Sequence, residues 1–302
     1  MPDEMMNTRE VSEYLGINEK QVYALIKAGR IPCTRVTGKW VFPKKLIDEW
    51  ITVTAKESAH YGETTPRRSR NLLAAGSNDP VLDLLINQNN ESNLKIFSCN
   101  TGSTEGLRLM EESRTDIAWC HLLDPETGTY NIPQIDTRLS GRKVAVVRLF
   151  YREIGIVSAQ DAGKKMKSIA DLAGGTRLVN RQPGSGIRVF LDHGLQKEGI
   201  DPSAIEGYGN EVRTHFEVGL AILSGAADAG IASVAISKLF SLPFTPLARE
   251  CFDMIIDRDV FFEKGIQSFI ETLQSDPFRK SVAPLGDYDF SDAGKILHST
   301  PG

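Results

Sequence analysis

Between residues 72 and 194 the chain repeats one pattern three times, and this repeat limits the architectures that it can adopt. In each copy an apolar, strand-like run precedes a loop rich in Gly, Ser, Thr and Asn, and a helical pattern follows the loop. The strand-like runs span residues 72–75, 94–98 and 176–180. Strands that alternate with helices are typical of a sheet covered by helices on both faces. We therefore predict an α/β fold for residues 71–302.

The three loops predict a site for a small anion. Each loop ends at a helix start, where backbone N–H groups lack intrahelical partners and hydroxyl side chains stand beside them. No loop has the Gly-Lys-Ser/Thr ending of a nucleotide-binding loop, and no Gly-x-Gly-x-x-Gly follows a strand. The residues that we expect to bind the anion are Ser77, Asn78, Ser103, Thr104, Arg181, Ser185, Gly186, Arg188 and Thr214. For each Ser or Thr, the alternative is that its side chain only caps the helix that follows.

Charged and imidazole side chains flank these loops. Arg188 lies in the first turn of its helix, where the helix dipole disfavours a cation. We therefore expect Arg188 to pair with an anion in the cleft or with an acidic group across the hinge. His121 ends a strand and is interpreted as a structural histidine. For His215 two interpretations stay open, a residue that lines the far side of the cleft and a surface or capping residue. Scattered histidines and the absence of a Gly-x-Ser-x-Gly elbow do not support catalysis, so we predict that the chain is not an enzyme.

Residues 7–51 carry a different pattern, that of a small winged helix-turn-helix. Apolar residues at helical spacing predict a first helix with Thr8 as its N-cap. Asn18 and Gln21 have the spacing of a capping box at the start of a second helix. The remaining predicted elements are a hairpin over residues 31–42 and a helix over residues 44–51. Two short helices of this kind leave an outward face that can enter a major groove.

The segment TREVSEYLGINEKQVYALIKAGRIPCTRVTGKWVFPKKLIDEWI closely resembles the excisionase branch of the MerR-like DNA-binding domains. The resemblance implies that double-stranded DNA is the partner. It places Lys20, Gln21, Tyr23 and Lys27 on or near the exposed face of the recognition helix, and Arg35 and Lys39 on the wing. Arg and Lys would hold phosphates there, while Gln21 could read a base edge. Because one winged module buries too little surface for tight specific binding, we expect a homodimer.

The stretches DIAWCHLLDPETGTYNIP and LVNRQPGSGIRVFLDHGL resemble the periplasmic-binding-protein-like domain of regulators and of proteins associated with molybdopterin biosynthesis. The resemblance implies a two-lobed receptor whose ligand is molybdate or tungstate. The sequence departs from the pattern at Asn78, where a His is common, at Ile187, where a Thr is usual, and at Ser233, where an Arg is frequent. The missing hydroxyl at Ile187 keeps an organic anion open as an alternative ligand.

Charge and cysteine usage agree with a two-part chain. Residues 1–70 hold 12 Lys and Arg against 9 Asp and Glu, whereas the rest holds 23 against 30. A basic head on an acidic body suits a head that meets phosphate. The four cysteines lack CxxC spacing, no secretory signal or membrane span is visible, and we expect a cytoplasmic protein with free thiols.

Together these patterns predict a ligand-responsive transcription regulator with no cofactor. The expected parts are a winged helix-turn-helix domain (1–52), a linker (53–70) that ends in the basic run 67–70, and a two-lobed domain (71–302) with its second lobe at 159–245. One alternative is an excisionase-like architectural factor that bends DNA without a ligand. The other is a protein of an oxyanion pathway, such as cofactor biosynthesis, that carries a DNA-binding head.

Overall fold

The computed structural model describes residues 4–29, 31–59, 71–89, 94–160 and 166–301. The chain divides into two compact units, residues 1–68 and 69–302, which we call the head and the body. The predicted linker lies largely outside the described residues, and so does its basic run 67–70. In the described part of the chain, no helix has the length and apolar character needed to cross a membrane.

The head is a helix-turn-helix with a small sheet. Its elements are β1 (Met5–Met6), α1 (Thr8–Leu15), α2 (Glu19–Lys27), β2 (Thr34–Val36), β3 (Lys39–Pro43) and α3 (Lys44–Ala59). The prediction of Thr8 as N-cap was wrong, because the Asn7 side chain accepts from the backbone of Arg9 and Glu10 and Thr8 is already helical. The capping box of Asn18 and Gln21 is present as predicted. Strand β1 pairs with β3, so the wing hairpin becomes a three-stranded sheet.

The head has its own hydrophobic core. Val11 of α1, Val22 of α2, Phe42 of β3 and Ile47 of α3 are fully buried together. Val11, Val22 and Ile47 lie on the inward helix faces that the apolar spacing predicts. The last helix continues to Ala59, eight residues beyond its predicted end.

The body is a single α/β unit. Its strands are β4 (Leu72–Gly76), β5 (Ile96–Asn100), β6 (Ile117–Cys120), β7 (Val144–Ser158), β8 (Leu178–Arg181), β9 (Glu211–Val212), β10 (Ala229–Ser233), β11 (Phe244–Asp257) and β12 (Ile296–Ser299). Its helices are α4 (Pro80–Asn89), α5 (Ser103–Glu111), α6 (Ile132–Arg138), α7 (Gly186–Glu198), α8 (His215–Leu223), α9 (Val234–Phe240), α10 (Arg258–Phe261), α11 (Lys264–Gln274) and α12 (Asp276–Val282). Short 3-10 turns span residues 169–173, 202–204 and 283–285.

Two long antiparallel strands form the spine of the body. The strand order is β5-β4-β6-β11-β7-β10-β8-β9, and β12 adds to β7. Strands β7 and β11 pair from Val144 opposite Asp257 to Val157 opposite Phe244. The sequence predicts two strands over residues 144–158, but the structure has one, which passes between two lobes. Lobe 1 carries β4–β6 with α4–α6 and α10–α12, and lobe 2 carries β8–β10 with α7–α9.

Each lobe has apolar layers on both faces of its part of the sheet. In lobe 1 one layer is built around Trp119, Phe150 and Phe269, and the other around Leu107 and Val146. The layers of lobe 2 include Ile187 on one face and Val218 on the other. Because the parallel strands β4, β5 and β6 point the same way, the loops that follow them meet at one edge of lobe 1. The predicted anion-binding loops therefore face the cleft between the lobes.

Candidate functional site

Four helices begin at the cleft. Helices α4 and α5 belong to lobe 1, and α7 and α8 belong to lobe 2. The lobes touch here, because the Thr104 N–H donates to the Gly184 carbonyl at 3.2 Å. A Cβ atom on Gly186 would lie 2.5 Å from the His121 ring, so only glycine permits this approach. The structure therefore shows a closed cleft in which the helix N-termini surround a small, buried polar region.

A chain of three buried side chains, Ser77, His121 and Glu250, crosses the floor of the cleft. We call it the relay. Ser77 Oγ lies 2.6 Å from His121 Nε2, and His121 Nδ1 lies 2.9 Å from Glu250 Oε2. All three side chains are almost completely buried. The interpretation of His121 as a structural histidine agrees with its two hydrogen-bond partners, although its position beside Ser77 also places it in the site.

The relay continues into a buried ion cluster. Arg152 donates through Nε to Glu250 Oε1 at 2.7 Å and through Nη1 to Asp79 Oδ2 at 2.5 Å. The Tyr288 hydroxyl donates to Asp79 Oδ2 at 2.9 Å. Asp79 Oδ1 also accepts from the backbone N–H of Val81 at the start of α4. One guanidinium thus holds two carboxylates, and these carboxylates fix the α4 loop and the histidine.

The hydrogen bonds assign the proton positions of the relay. Burial lowers the pKa of His121, although Glu250 opposes this effect, so the ring is neutral near pH 7. Burial raises the pKa of Glu250, but the opposing effect of His121 and Arg152 is larger. The net pKa of Glu250 therefore lies below the ordinary value. An ionised carboxylate only accepts hydrogen bonds, so His121 carries its hydrogen on Nδ1. Nε2 is then an acceptor, and the Ser77 hydroxyl donates to it.

Arg181 is a buried cation without an ionic partner among the described residues. Its side chain is 1% exposed, with Nη2 donating to the Arg213 carbonyl at 2.7 Å and Nε to Gln182 Oε1 at 3.3 Å. Nη1 is buried and has no hydrogen-bond partner in the described chain. Burial, reinforced by the nearby charge of Arg152, lowers the pKa of Arg181 to about 10. Because an unpaired buried charge is costly, this guanidinium points to an anion that completes its hydrogen bonds.

His215 supplies a second unsatisfied donor. Of the two sequence interpretations of His215, the surface position was wrong, because the side chain is fully buried at the start of α8. The backbone N–H of Ser233 donates to His215 Nδ1 at 3.2 Å. Burial, with Arg152 and Arg181 nearby, lowers the His215 pKa well below its ordinary value, so the neutral ring keeps its hydrogen on Nε2. Nε2 has no partner within the residues that the structure describes.

Two amide side chains add further buried atoms that lack partners in the described residues. They are Gln182 Nε2 in the loop before α7 and Asn78 Oδ1 in the loop before α4. The rings of His121 and His215 are 6.4 Å apart between centroids. Buried polar atoms normally have partners, so these unsatisfied atoms are candidates for contacts with a bound group.

The predicted hydroxyl contacts have other roles in this closed state. Ser185 accepts from the Arg188 N–H, and Thr214 caps α8 through Glu217. Ser103 Oγ accepts from the His121 N–H at 3.3 Å. The bonds of Ser185 and Thr214 match the capping alternative, whereas Ser103 is the first residue of α5 and caps no helix.

Arg188 does not join the set of cleft cations. Its guanidinium donates to Asp192 at 3.0 Å and to Glu211 at 3.0 Å, and it stacks over the Tyr208 ring. Two carboxylates on lobe 2 already neutralise this charge, so we remove Arg188 from the expected anion contacts. Arg181, seven residues earlier, keeps the role that the sequence suggested for both arginines.

The head presents a polar face on α2 and the wing. Lys20, Tyr23 and Lys27 are exposed on α2, and neither lysine forms an ion pair within the described residues. Gln21 is exposed too, but its side-chain oxygen accepts from the Asn18 N–H in the capping box. On the wing, Arg35 donates to the Gly38 carbonyl and lies over the Trp40 ring, and Lys39 is exposed. The amide NH2 group of Gln21 therefore stays free for a base edge.

The described residues form no recognisable metal centre. Within the described residues, no group of three or more His, Cys, Asp or Glu side chains could hold a metal ion. Both domains are of binding types, one for DNA and one for a small ligand.

The fold and the cleft define a two-lobed small-ligand receptor joined to a helix-turn-helix domain. Residues 86–274 match the PBP superfamily domain, which covers more than half of the chain, and the protein belongs to this superfamily. Residues 5–52 match a helix-turn-helix domain.

Individual proteins are similar to this chain in sequence or in fold. The chain is 29% identical to the YvgK protein of Bacillus subtilis (strain 168) over 304 residues, which cover 96% of this chain and 97% of that protein. A phosphate ABC transporter substrate-binding protein with bound phosphate from Clostridium perfringens aligns with a TM-score of 0.54 at 14% identity, over 75% of this chain and 100% of that one. The tungstate ABC transporter protein of Geobacter sulfurreducens aligns with a TM-score of 0.50 at 15% identity, over 71% of this chain and 98% of that one.

Proposed function

We propose that the protein is a transcription regulator that binds DNA through its head and senses a small oxyanion in the cleft of its body. The observation that supports an anionic ligand is Arg181, a buried guanidinium whose Nη1 has no partner in the described chain. A transcriptional role follows from joining a DNA-binding domain to a ligand-binding domain. Molybdate and tungstate, which the sequence resemblance implies, are the first ligands to test, together with phosphate.

Closure of the body around the anion would be the regulatory event. The Thr104–Gly184 bond and the approach of Gly186 to His121 both join the two lobes. An open body loses these contacts, so an anion that bridges Arg181 and the α4 loop favours the closed arrangement. A ligand shifts such an equilibrium only by its difference in affinity for the two states. In a homodimer, closure would change how two heads meet a DNA site.

The test of this function couples the two activities. The full-length protein is first used to select duplexes from a randomised DNA library, and affinity for the enriched duplex is measured with molybdate, tungstate or phosphate present. We expect one of these anions to change the affinity by about 5- to 150-fold, the usual range of allosteric coupling. Saturable anion binding without any effect on DNA binding would contradict the sensor. Failure to enrich any duplex would contradict the role of the head.

Arg35→Ala tests the wing. Arg35 is exposed at the hairpin and would neutralise one DNA phosphate. We expect the variant to bind all duplexes more weakly and to reduce the slope of log affinity against log salt by about 1. Arg9→Ala is the matched control, because Arg9 is an exposed arginine of α1 that pairs with Glu13. An unchanged salt slope in the Arg35 variant would remove the wing from the interface.

A further inference from the structure

The hydrogen of the Ser77 hydroxyl is already used in a hydrogen bond to His121. Glu250 holds the hydrogen of His121 on Nδ1, so Nε2 of the same ring can only accept. Ser77 Oγ is 2.6 Å from this nitrogen and must donate to it. A serine hydroxyl has one hydrogen and two lone pairs. Toward any ligand in the cleft, Ser77 is therefore an acceptor.

Asn78 adds an acceptor in the same loop. Its Oδ1 atom is buried and has no hydrogen-bond partner within the described ranges. The loop is held in place because Asp79, its next residue, is bound by Arg152 and by Tyr288. The α4 loop thus offers two oxygen acceptors at a fixed position in lobe 1.

Lobe 2 offers the opposite chemistry. Arg181 Nη1, Gln182 Nε2 and His215 Nε2 are buried donors without partners in the described structure. The Ser233 hydroxyl lies close to the Tyr288 phenol and is not counted among these donors. An occupant of the closed cleft therefore meets donors on one side and acceptors on the other.

We infer that the cleft selects an oxyanion that itself carries a hydrogen, such as hydrogen phosphate or hydrogen arsenate, over fully deprotonated molybdate, tungstate or sulfate. This inference rests on the proposed anion-sensing function and names the ligand class for the same site. The unprotonated oxygens would accept from Arg181, Gln182 and His215. The ligand hydroxyl would donate to Ser77 Oγ.

The cleft discriminates between the two kinds of anion because a fully deprotonated anion cannot donate a hydrogen bond to Ser77. Its oxygen would meet the lone pairs of Ser77, and neither group could supply a hydrogen. A buried site built to accept from a ligand hydroxyl rejects analogues that lack it, because its acceptor stays unpaired. The relay cannot simply reverse, since burial disfavours a protonated His121 and Glu250 holds the Nδ1 hydrogen.

The deciding experiment compares anions of equal shape and charge. At mildly alkaline pH hydrogen phosphate, hydrogen arsenate, sulfate and molybdate are tetrahedral dianions, and only the first two carry a hydrogen. Calorimetry on the full-length protein should give affinities for phosphate and arsenate at least about 100-fold above those for sulfate, molybdate and tungstate. Equal or reversed affinities would overturn this inference and leave the anion sensor intact. If none of the five anions binds, both the inference and the proposed ligand class are wrong.

Ser77→Ala tests the acceptor directly. Loss of Ser77 Oγ should weaken phosphate binding and spare sulfate, so that the phosphate-to-sulfate affinity ratio falls at least about tenfold. Ser77→Thr keeps the hydroxyl and should keep the preference. Ser237→Ala is the matched control, because Ser237 is a buried serine of α9 whose hydroxyl donates to the Leu242 carbonyl at 2.7 Å. A ratio unchanged by Ser77→Ala would show that the relay does not set specificity.

Discussion

Replacement of Arg181 by methionine should abolish most of the anion affinity while leaving the empty protein folded. Truncating one member of a buried charged pair typically costs about 2–5 kcal/mol of binding free energy, which corresponds to at least about a 30-fold loss. Arg181 is buried, and its Nη1 has no other partner among the described residues. Calorimetric titration of phosphate and molybdate into the full-length variant measures the loss.

The stability of the empty Arg181→Met protein separates a binding role from a structural one. A buried cation that lacks an ionic partner is a cost in the unliganded state, so its apolar replacement should leave the free energy of unfolding unchanged or raised. Arg177→Met is the control, because Arg177 lies just before β8 and pairs with Asp228 at a partly exposed position. Anion affinity that survives in Arg181→Met would exclude this guanidinium from the site.

Replacement of Arg152 by methionine should have the opposite profile, with a large loss of stability. Arg152 holds Asp79 and Glu250 at distances of 2.5 Å, and all three side chains are buried. Removing one partner of a buried ion network leaves uncompensated charges and costs about 3–5 kcal/mol. Urea denaturation followed through the buried Trp119 of the body reports the change.

The matched control for Arg152 is Arg249→Met. Arg249 also links strand β11 to an acidic residue, Asp289, but its side chain is 56% exposed. An exposed pair contributes at most about 1 kcal/mol. If both variants lose the same stability, the buried cluster is not the stabilising element that its geometry indicates.

Arg152→Met should also change the pH dependence of stability. The Glu250 pKa is lowered in the folded protein, so ionised Glu250 contributes stability above the carboxyl pKa of the unfolded chain. This contribution is lost as pH falls through the lower, folded pKa. Without Arg152 the pKa of Glu250 should rise, and acid unfolding of Arg152→Met should begin at a higher pH than in the wild type. An unchanged acid midpoint would contradict the assigned partner.

The sequence predicted those features that depend on residues close together in the chain. The capping box of Asn18 and Gln21, the α/β alternation and the loops before α4, α5 and α7 all follow from residues a few positions apart. Among the ligand candidates, Ser77, Asn78 and Arg181 are buried at the cleft, and their contact with a ligand stays a prediction.

The relay and the ion cluster could not be found in this way because their members are distant in sequence. Ser77 and Glu250 are joined through His121 only after β4, β6 and β11 are placed side by side. One signal was present: Arg152 stands within the apolar strand β7, where a charge requires a partner. The partner itself lies in β11, whose proline and charges obscure the strand pattern in the sequence.

The course of the chain through lobe 1 has a consequence for synthesis on the ribosome. Strand β12 (Ile296–Ser299) pairs with β7, and β11 separates β6 from β7, so lobe 1 uses residues from both ends of the body. Most of lobe 2 is one continuous segment between the two spine strands, and local contacts form before distant ones. During translation the head and much of lobe 2 can gain structure early, while lobe 1 waits for the last residues to emerge. Nascent chains released before β12 would therefore expose an unfinished sheet to aggregation.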